Sequence, residues 1–138
     1  MQDSDAVRFA REKGLQEPEL AEDLFYSQDE SLLYVSYSND ICRVYDGADF
    51  SLKGSFELQS SYLQCDLGVD RQGNHYLCGI SYGYMLSPDF QLLGVIENLA
   101  ALDYEQNRLI VTGRNGEQYA ISIYSPEELL AKAQSDVL

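Results

Sequence analysis

Basic residues are scarce in this chain, and the scarcity excludes one class of partner. Only 9 residues are Lys or Arg, against 23 Asp or Glu, so the formal net charge is −14 at pH 7. Nucleic-acid binding needs a basic surface that neutralises phosphates, and anionic membranes attract basic clusters in the same way. The composition argues against both partners. It is typical of a well-solvated acidic surface, or of one that meets a cation or a basic partner.

Long apolar runs are also missing, and histidine occurs only once. The apolar runs are far shorter than the roughly 20 residues that span a bilayer, so membrane insertion is not expected. The first residues, MQDSDAVRFA, are acidic and lack the apolar core of a secretory signal peptide. The absence of a signal peptide and the free cysteines favour a cytoplasmic location, unless the chain is a domain excised from a longer protein.

Cysteine is limited to three positions, an odd number without a C-x-x-C pair. Cys42, Cys65 and Cys78 each fall in an apolar, strand-like run, which predicts three reduced and mostly buried thiols. A metal site would need closer spacing and more histidine than the single His75. No metal and no cofactor are therefore expected, with calcium at the acidic turns as the alternative.

What the chain does contain, from residue 24 onward, is short runs of alternating apolar and polar residues. The runs LLYVSY, ICRVYD and FSLKGSFEL are rich in strand formers and separated by turn residues. The same succession returns twice, which predicts three units, residues 24–58, 62–98 and 99–124. The first two have four strands each and the third has three.

A second repeat lies inside these units, where the chain writes D-F-x-L-x-G at Asp49 and again at Asp89. The Asp begins a turn, the Phe and Leu are expected to anchor the fourth strand in the core, and the Gly allows a bulge or a close approach between sheets. The predicted core anchors at equivalent positions are Phe50, Leu52, Phe90 and Leu92.

Helix signals lie on either side of the three units. Residues 1–23 read as a short helix and a linker, with Ser4 and Asp5 as caps and Gly14 as the stop. Residues 125–138 read as a second helix, with Ser125 as N-cap and Glu128 completing a capping box. This helix replaces the fourth strand of the third unit.

Units of about 35–43 residues with four antiparallel strands are typical of propeller blades. The run VDRQGNHYLCG resembles the D-x-x-G-N-x-aromatic-aliphatic element of bacterial propeller repeats of the NHL, YVTN and quinoprotein-like kinds, which share their architecture with WD40 proteins. The run YEQNRLIVTGRNGEQYAI looks like the same element. The resemblance covers residues 24–124 and implies an all-β fold of antiparallel, four-stranded propeller-type blades. A β-sandwich with accidental self-similarity is the alternative.

Three units cannot close a ring, since closed propellers have about four to eight blades. Two copies can make six blades by joining the first unit of each to the third unit of the other, or the chain can belong to a larger propeller. Alternatively, the helices cap an open stack. In one variant, Ala6–Ala10 pairs as the strand that the third unit lacks. The expected partner is a protein, either a second copy or the rest of a larger propeller.

No catalytic motif is present, and the acidic residues have a structural explanation. There is no G-x-S-x-G element, and His75 reads as a solvent-facing turn residue. Carboxylates recur at turns, where their side chains accept backbone hydrogen bonds. These turn carboxylates are Asp46, Asp49, Asp66, Asp70, Asp103 and Glu105.

Tyrosine is the residue type that suggests a binding surface. Of the 11 tyrosines, Tyr37, Tyr82 and Tyr84 fall at or beside the turns between second and third strands. If the blades stack, these turns gather on one face, and aromatic side chains on an acidic rim suit a peptide or sugar ligand. The alternative is that they pack between blades.

Taken together, these patterns predict a non-enzymatic protein-interaction or scaffold module. The alternative is a ligand-sensing or hydrolytic propeller domain whose site is completed by additional blades or by a partner chain.

Overall fold

A computed structural model describes residues 4–60 and 62–136 of the chain. The predicted ends of the two helical segments, residues 1–3 and 137–138, lie outside the described residues. The chain forms two compact units, Met1–Leu63 and Gln64–Leu138. Within the described part of the chain, neither helix is long and apolar enough to cross a membrane.

The first unit begins with helix α1, Asp5–Lys13. The Ser4 side chain accepts a hydrogen bond from the Val7 N–H at 3.2 Å, which caps the start of the helix. Gly14, with φ of 69°, ends it. The predicted N-terminal helix is confirmed, and the variant in which Ala6–Ala10 forms a strand is wrong, because these residues lie inside α1.

After a 3₁₀ turn at Pro18–Leu20, the first unit forms sheet 1. Its strands pair antiparallel in chain order. They are β1 Ala21–Tyr26, β2 Leu32–Tyr37, β3 Ile41–Asp46 and β4 Leu52–Glu57.

Helix α1 covers one face of sheet 1. Ala6 and Ala10 of the helix belong to one buried cluster with Leu33, Val35 and Tyr45 of the sheet. Because side chains alternate along a strand, these sheet residues share a face. The small alanine side chains let the helix approach this face closely.

The second unit begins with sheet 2, which repeats the topology of sheet 1. Its strands are β5 Cys65–Val69, β6 His75–Cys78, β7 Tyr82–Leu86 and β8 Leu92–Glu97. Sheet 3 follows, with three strands. They are β9 Leu99–Asp103, β10 Arg108–Asn115 and β11 Gln118–Tyr124, and helix α2, Pro126–Asp136, comes next.

The first hairpin of each sheet turns in the same way. Glu30, Gly73 and Asn107 all have positive φ, at 62°, 89° and 53°. Each donates its N–H to the carbonyl three residues earlier, over 2.9, 3.1 and 3.2 Å. The predicted repeat is therefore present in the backbone, where only one of the three positions has the glycine that such a conformation favours.

The core of the second unit lies between sheets 2 and 3 and under α2. At Gly94 a β-carbon would lie 2.7 Å from that of Ala133, so the glycine lets α2 approach β8. At Gly83 a β-carbon would collide with Leu99, so the second glycine allows β9 to approach β7. The buried cluster contains Tyr76, Met85, Ile96, Leu99, Leu109, Val111, Leu129 and Ala133.

The predicted core anchors are only partly buried. Phe90 is buried and Phe50 is half-buried, but Leu52 and Leu92 are exposed by 45% and 37%. Both leucines stand next to a one-residue bulge in the pairing of the fourth strand. A bulge shifts the alternation of side chains by one residue, so the predicted burial of the two leucines was wrong.

The thiols are less uniformly buried than predicted. Cys42 is buried, Cys78 is half-buried and Cys65 is exposed. Cys65 lies on β5, which is an edge strand of sheet 2. It faces Cys78 on β6, and the two Sγ atoms are 3.1 Å apart.

Candidate functional site

The third strand of sheet 3 has an unusual surface. Strand β11, with the sequence QYAISIY, has no charged residue and pairs over its whole length with β10. Tyr119, Ile121 and Ile123 alternate along it and therefore point to the same side. They are exposed by 80%, 70% and 61%.

The neighbouring strand β10 continues this apolar surface. Ile110 lies directly opposite Ile123, and Arg114 lies opposite Tyr119. Arg108 shares their side by alternation along β10. We call the surface formed by Arg108, Ile110, Arg114, Tyr119, Ile121 and Ile123 the open face of sheet 3.

Comparison with sheet 2 shows what the open face is equivalent to. In sheet 2, Tyr76 pairs with Met85, at the register position that the pair Ile110 and Ile123 occupies in sheet 3. Tyr76 and Met85 are exposed by 0% and 2%, because sheet 3 and α2 pack on them. The open face is thus the counterpart of a face that in sheet 2 is covered by the next sheet.

The same pair recurs in sheet 1, where Tyr34 lies opposite Val44 and both are buried. Burial at this register position is therefore the rule in the first two sheets. Ile123, 61% exposed, departs from it. Large exposed apolar surface of this kind marks an interaction site more often than chance.

Helix α2 leaves the open face uncovered because it turns to the other side of sheet 3. Ser125 and Glu128 form the predicted capping box, each N–H donating to the other side chain at 3.1 Å. The backbone hydrogen bond from Ser125 holds the pKa of Glu128 below its ordinary value. From this cap, Leu129 and Ala133 pack into the cluster that contains Leu109, on the opposite face of β10.

The charges of the open face differ from those of the chain as a whole. Arg108 and Arg114 lie at the two ends of β10, and both are exposed. The Arg114 guanidinium lies 5.0 Å from the ring centroid of Tyr119 and donates to its hydroxyl at 3.4 Å. In a chain with a net charge of −14, this face is apolar in the middle with an arginine near each end.

The edge of β11 is a second feature of the same place. Among the described strands, β11 pairs with β10 alone, whereas the corresponding strands β3 and β7 are each flanked by a fourth strand. An edge without charge, proline or bulge offers its backbone groups to another strand. The open face and this free edge together form the candidate site.

The predicted tyrosine surface is not formed in the predicted way. Tyr37 and Tyr84 are fully buried, so neither ring lies on a surface, while Tyr82 is half-buried. The Tyr37 hydroxyl is 2.8 Å from that of Tyr45, and burial raises the pKa of Tyr37 above its ordinary value. Tyr37 lies on β2 and Tyr84 on β7, and nearly every residue of these two strands is buried.

Five of the six predicted turn carboxylates accept hydrogen bonds from backbone N–H groups, as expected. They are Asp46, Asp49, Asp66, Asp70 and Asp103. Asp46 accepts hydrogen bonds from Ala48 and Asp49, and buried Asp70 accepts bonds from Gln72 and Asn74. In the described ranges 4–60 and 62–136, no three acidic, cysteine or histidine side chains are placed to hold a metal ion.

His75 was expected in a solvent-facing turn, and this expectation is wrong. His75 is the first residue of β6, and its ring stacks on Phe90 at 4.7 Å between centroids. The sequence signal GN correctly marked the turn, which ends before His75.

Comparison with known proteins supports the blade architecture. No family model and no curated protein matches the sequence, whereas 11 chains of solved structures match the fold. The WD40 domain of Pan2 from Neurospora crassa is similar with a TM-score of 0.50 and 14% identity, over 83% of this chain and 36% of that domain. Hsv2 from Kluyveromyces lactis gives a TM-score of 0.45 and 14% identity, over 79% of this chain and 34% of that protein.

The chain thus spans about a third of the solved structures that it resembles. At this level of identity the likeness concerns the fold alone. Three successive antiparallel sheets with one shared hairpin geometry agree with it. The chain is an all-β protein of propeller-type blades, with a helix before the first blade and another after the third.

Proposed function

We propose that this chain is a non-enzymatic protein-interaction module whose working surface is the open face of sheet 3. The observation that carries the proposal is the contrast between equivalent positions. Met85 is covered in sheet 2, while Ile123, its counterpart, is 61% exposed. Covering such side chains removes apolar area from water, which favours association by about 25 cal/mol per Å² before the entropy cost of binding is subtracted.

A second copy or the rest of a larger propeller are the two partners that the blade architecture suggests. A six-bladed dimer would place the open face of one copy on the face of sheet 1 that carries Leu33 and Val35. That face is already covered by α1 through Ala6 and Ala10. The contact between α1 and sheet 1 therefore favours a partner other than a second copy.

The experiment compares two isoleucines of similar exposure. Ile121 lies on the open face and is 70% exposed, whereas Ile80 lies in the turn before β7 and is 67% exposed. A photo-reactive benzoylphenylalanine is placed at either position in the source cells, and the cross-linked products are separated by mass.

We expect a discrete cross-linked product from position 121 and none of matching yield from position 80. In a second variant the probe is moved to position 119, so that Ile121 can be replaced. The substitution Ile121→Asp in that variant should abolish the cross-linked product. Equal products from positions 121 and 80, or none from position 121, would contradict an interaction surface at the open face.

A further inference from the structure

We propose that the free edge of β11 accepts a fourth strand from a separate polypeptide, and that this strand has the pattern Leu-x-Gly-x-(Phe or Ile)-Glu. The inference rests on the proposed function, since it names what binds at the same surface. It comes from the two fourth strands that the chain already has.

Strands β4 and β8 pair with their neighbours in the same register. Each has its bulge directly after the first leucine, each places a glycine at the second paired position, and each ends in a glutamate. The matching pairs are Leu52–Tyr45 and Leu92–Leu86, Gly54–Val44 and Gly94–Met85, Phe56–Cys42 and Ile96–Gly83, and Glu57–Ile41 and Glu97–Tyr82.

The register of a fourth strand on β11 can be read from sheet 2, because β11 and β7 are the third strands of their sheets. Because Met85 and Ile123 pair with equivalent residues of β6 and β10, a fourth strand on β11 has its glycine opposite Ile123. Its large apolar residue then lies opposite Ile121, and its glutamate lies opposite Ala120.

The side chains of the open face suit such a strand. In the existing fourth strands, the large apolar residue is Phe56 or Ile96, and these are exposed by only 5% and 3%. The same residue on a donated strand would cover Ile121, which is now 70% exposed. A strand added to an edge also gains backbone hydrogen bonds along its length.

The glutamate of the donated strand would stand on the other side of sheet 3. Ala120, which it lies opposite, alternates with Tyr119 and Ile121 and so does not share their face. Recognition at the open face therefore rests on the backbone edge of β11 and on the large apolar residue of the donated strand.

A second copy does not supply this strand. Its own β4 and β8 are already paired with β3 and β7. Its β11, QYAISIY, has neither the glycine nor the glutamate of the pattern. The proposed donor is an extended, apolar segment of another polypeptide that ends in an acidic residue.

The test uses the chain's own fourth strand as the probe. A fluorescently labelled peptide with the sequence of residues 89–97, DFQLLGVIE, is titrated with the whole protein, and its anisotropy is measured. We expect saturable binding, weakened about tenfold or more by Ile121→Asp, equivalent to about 1.4 kcal/mol, and unchanged within about twofold by Ile80→Asp.

Backbone pairing has its own readout. On peptide binding, amide hydrogen exchange should slow in residues 118–124 and stay unchanged in 65–69, the edge strand of sheet 2. A peptide N-methylated at alternate amides, which cannot pair with β11, should not bind. Equal binding of the methylated peptide, or equal binding to the Ile121→Asp protein, would overturn the inference.

The outcomes separate this inference from the proposed function. If the peptide fails to bind while position 121 still cross-links to a partner, the fourth-strand inference is wrong and the interaction surface stands. A doubled molecular mass that Ile121→Asp abolishes would make a second copy the occupant, and would also overturn the inference. Failure of both peptide and cross-link removes both proposals.

Discussion

Two thiols face each other across neighbouring strands, while the third is enclosed. Burial raises the pKa of Cys42 well above its ordinary value. Burial, together with its hydrogen bond to Cys65, raises the pKa of Cys78 to about 12. Since the thiolate is the nucleophile, a raised pKa leaves less of the reactive form at a given pH.

The three cysteines should therefore react in a fixed order with maleimide at pH 8. We expect Cys65 to be labelled first, Cys78 later, and Cys42 only when the protein unfolds. Because pH 8 to 10 lies well below its pKa of about 12, Cys78 should be labelled about tenfold faster for each pH unit in this range. Peptide mass analysis gives the order, and labelling of native Cys42 as fast as Cys65 would contradict it.

Among the larger elements, the fourth strands show how a bulge decides burial. In β8, the bulge lies between the partners of Met85 and Leu86, next to Leu92. Phe90 precedes the strand, has a φ of 66°, and stacks on His75. The same D-F-x-L sequence therefore places the aromatic ring in the interior and the leucine at the surface.

This difference predicts unequal costs for two alanine substitutions. Phe90→Ala should lower the free energy of unfolding by about 3 kcal/mol, because a buried aromatic side chain is lost. Leu92→Ala should lower it by less than about 1 kcal/mol, because Leu92 is 37% exposed. Urea unfolding at equal pH measures both, and equal costs would show that the bulge does not set the burial.

The sequence was sufficient to predict the elements whose signals are local. The capping box of Ser125 and Glu128, the turn carboxylates and the order of the strands all follow from neighbouring residues. The exposure of Leu92 could not be predicted, since an alternating pattern does not show where a bulge shifts it. Nor could the burial of Tyr84, since the sequence does not show that β7 is buried along almost its whole length.

The sequence indicated an uncovered sheet face but not the residues that form it. The sequence showed that the third unit ends in a helix and lacks a fourth strand, which implied an uncovered face. It could not show that α1 covers sheet 1, because the helical signal of Ala6–Ala10 does not state what the helix packs on. The three tyrosines were selected by their position at turns, whereas the exposed side chains lie along β11.

At the scale of the whole molecule, α1 and the open face have opposite effects on association. A variant that lacks residues 1–20 begins at β1 and uncovers the face of sheet 1 that carries Leu33 and Val35. We expect this variant to self-associate at micromolar concentration, since two complementary sheet faces are then free. Light scattering should give a mass above that of the full chain.

Two comparisons make this prediction specific. Adding Ile121→Asp to the shortened chain should restore the mass of a single copy, whereas Ile80→Asp should not. If neither substitution lowers the measured mass of the shortened chain, its self-association comes from unfolding. That result would contradict a contact through the open face.

Because α1 covers one face of sheet 1, it also limits the number of partners that one chain can bind. A contact between two different faces can repeat from molecule to molecule and grow into a filament. Among the described residues, α1 already covers one face of sheet 1, whereas the open face of sheet 3 is exposed. Binding at the open face should therefore saturate at one partner per chain, and filaments should form only from chains that have lost their first helix.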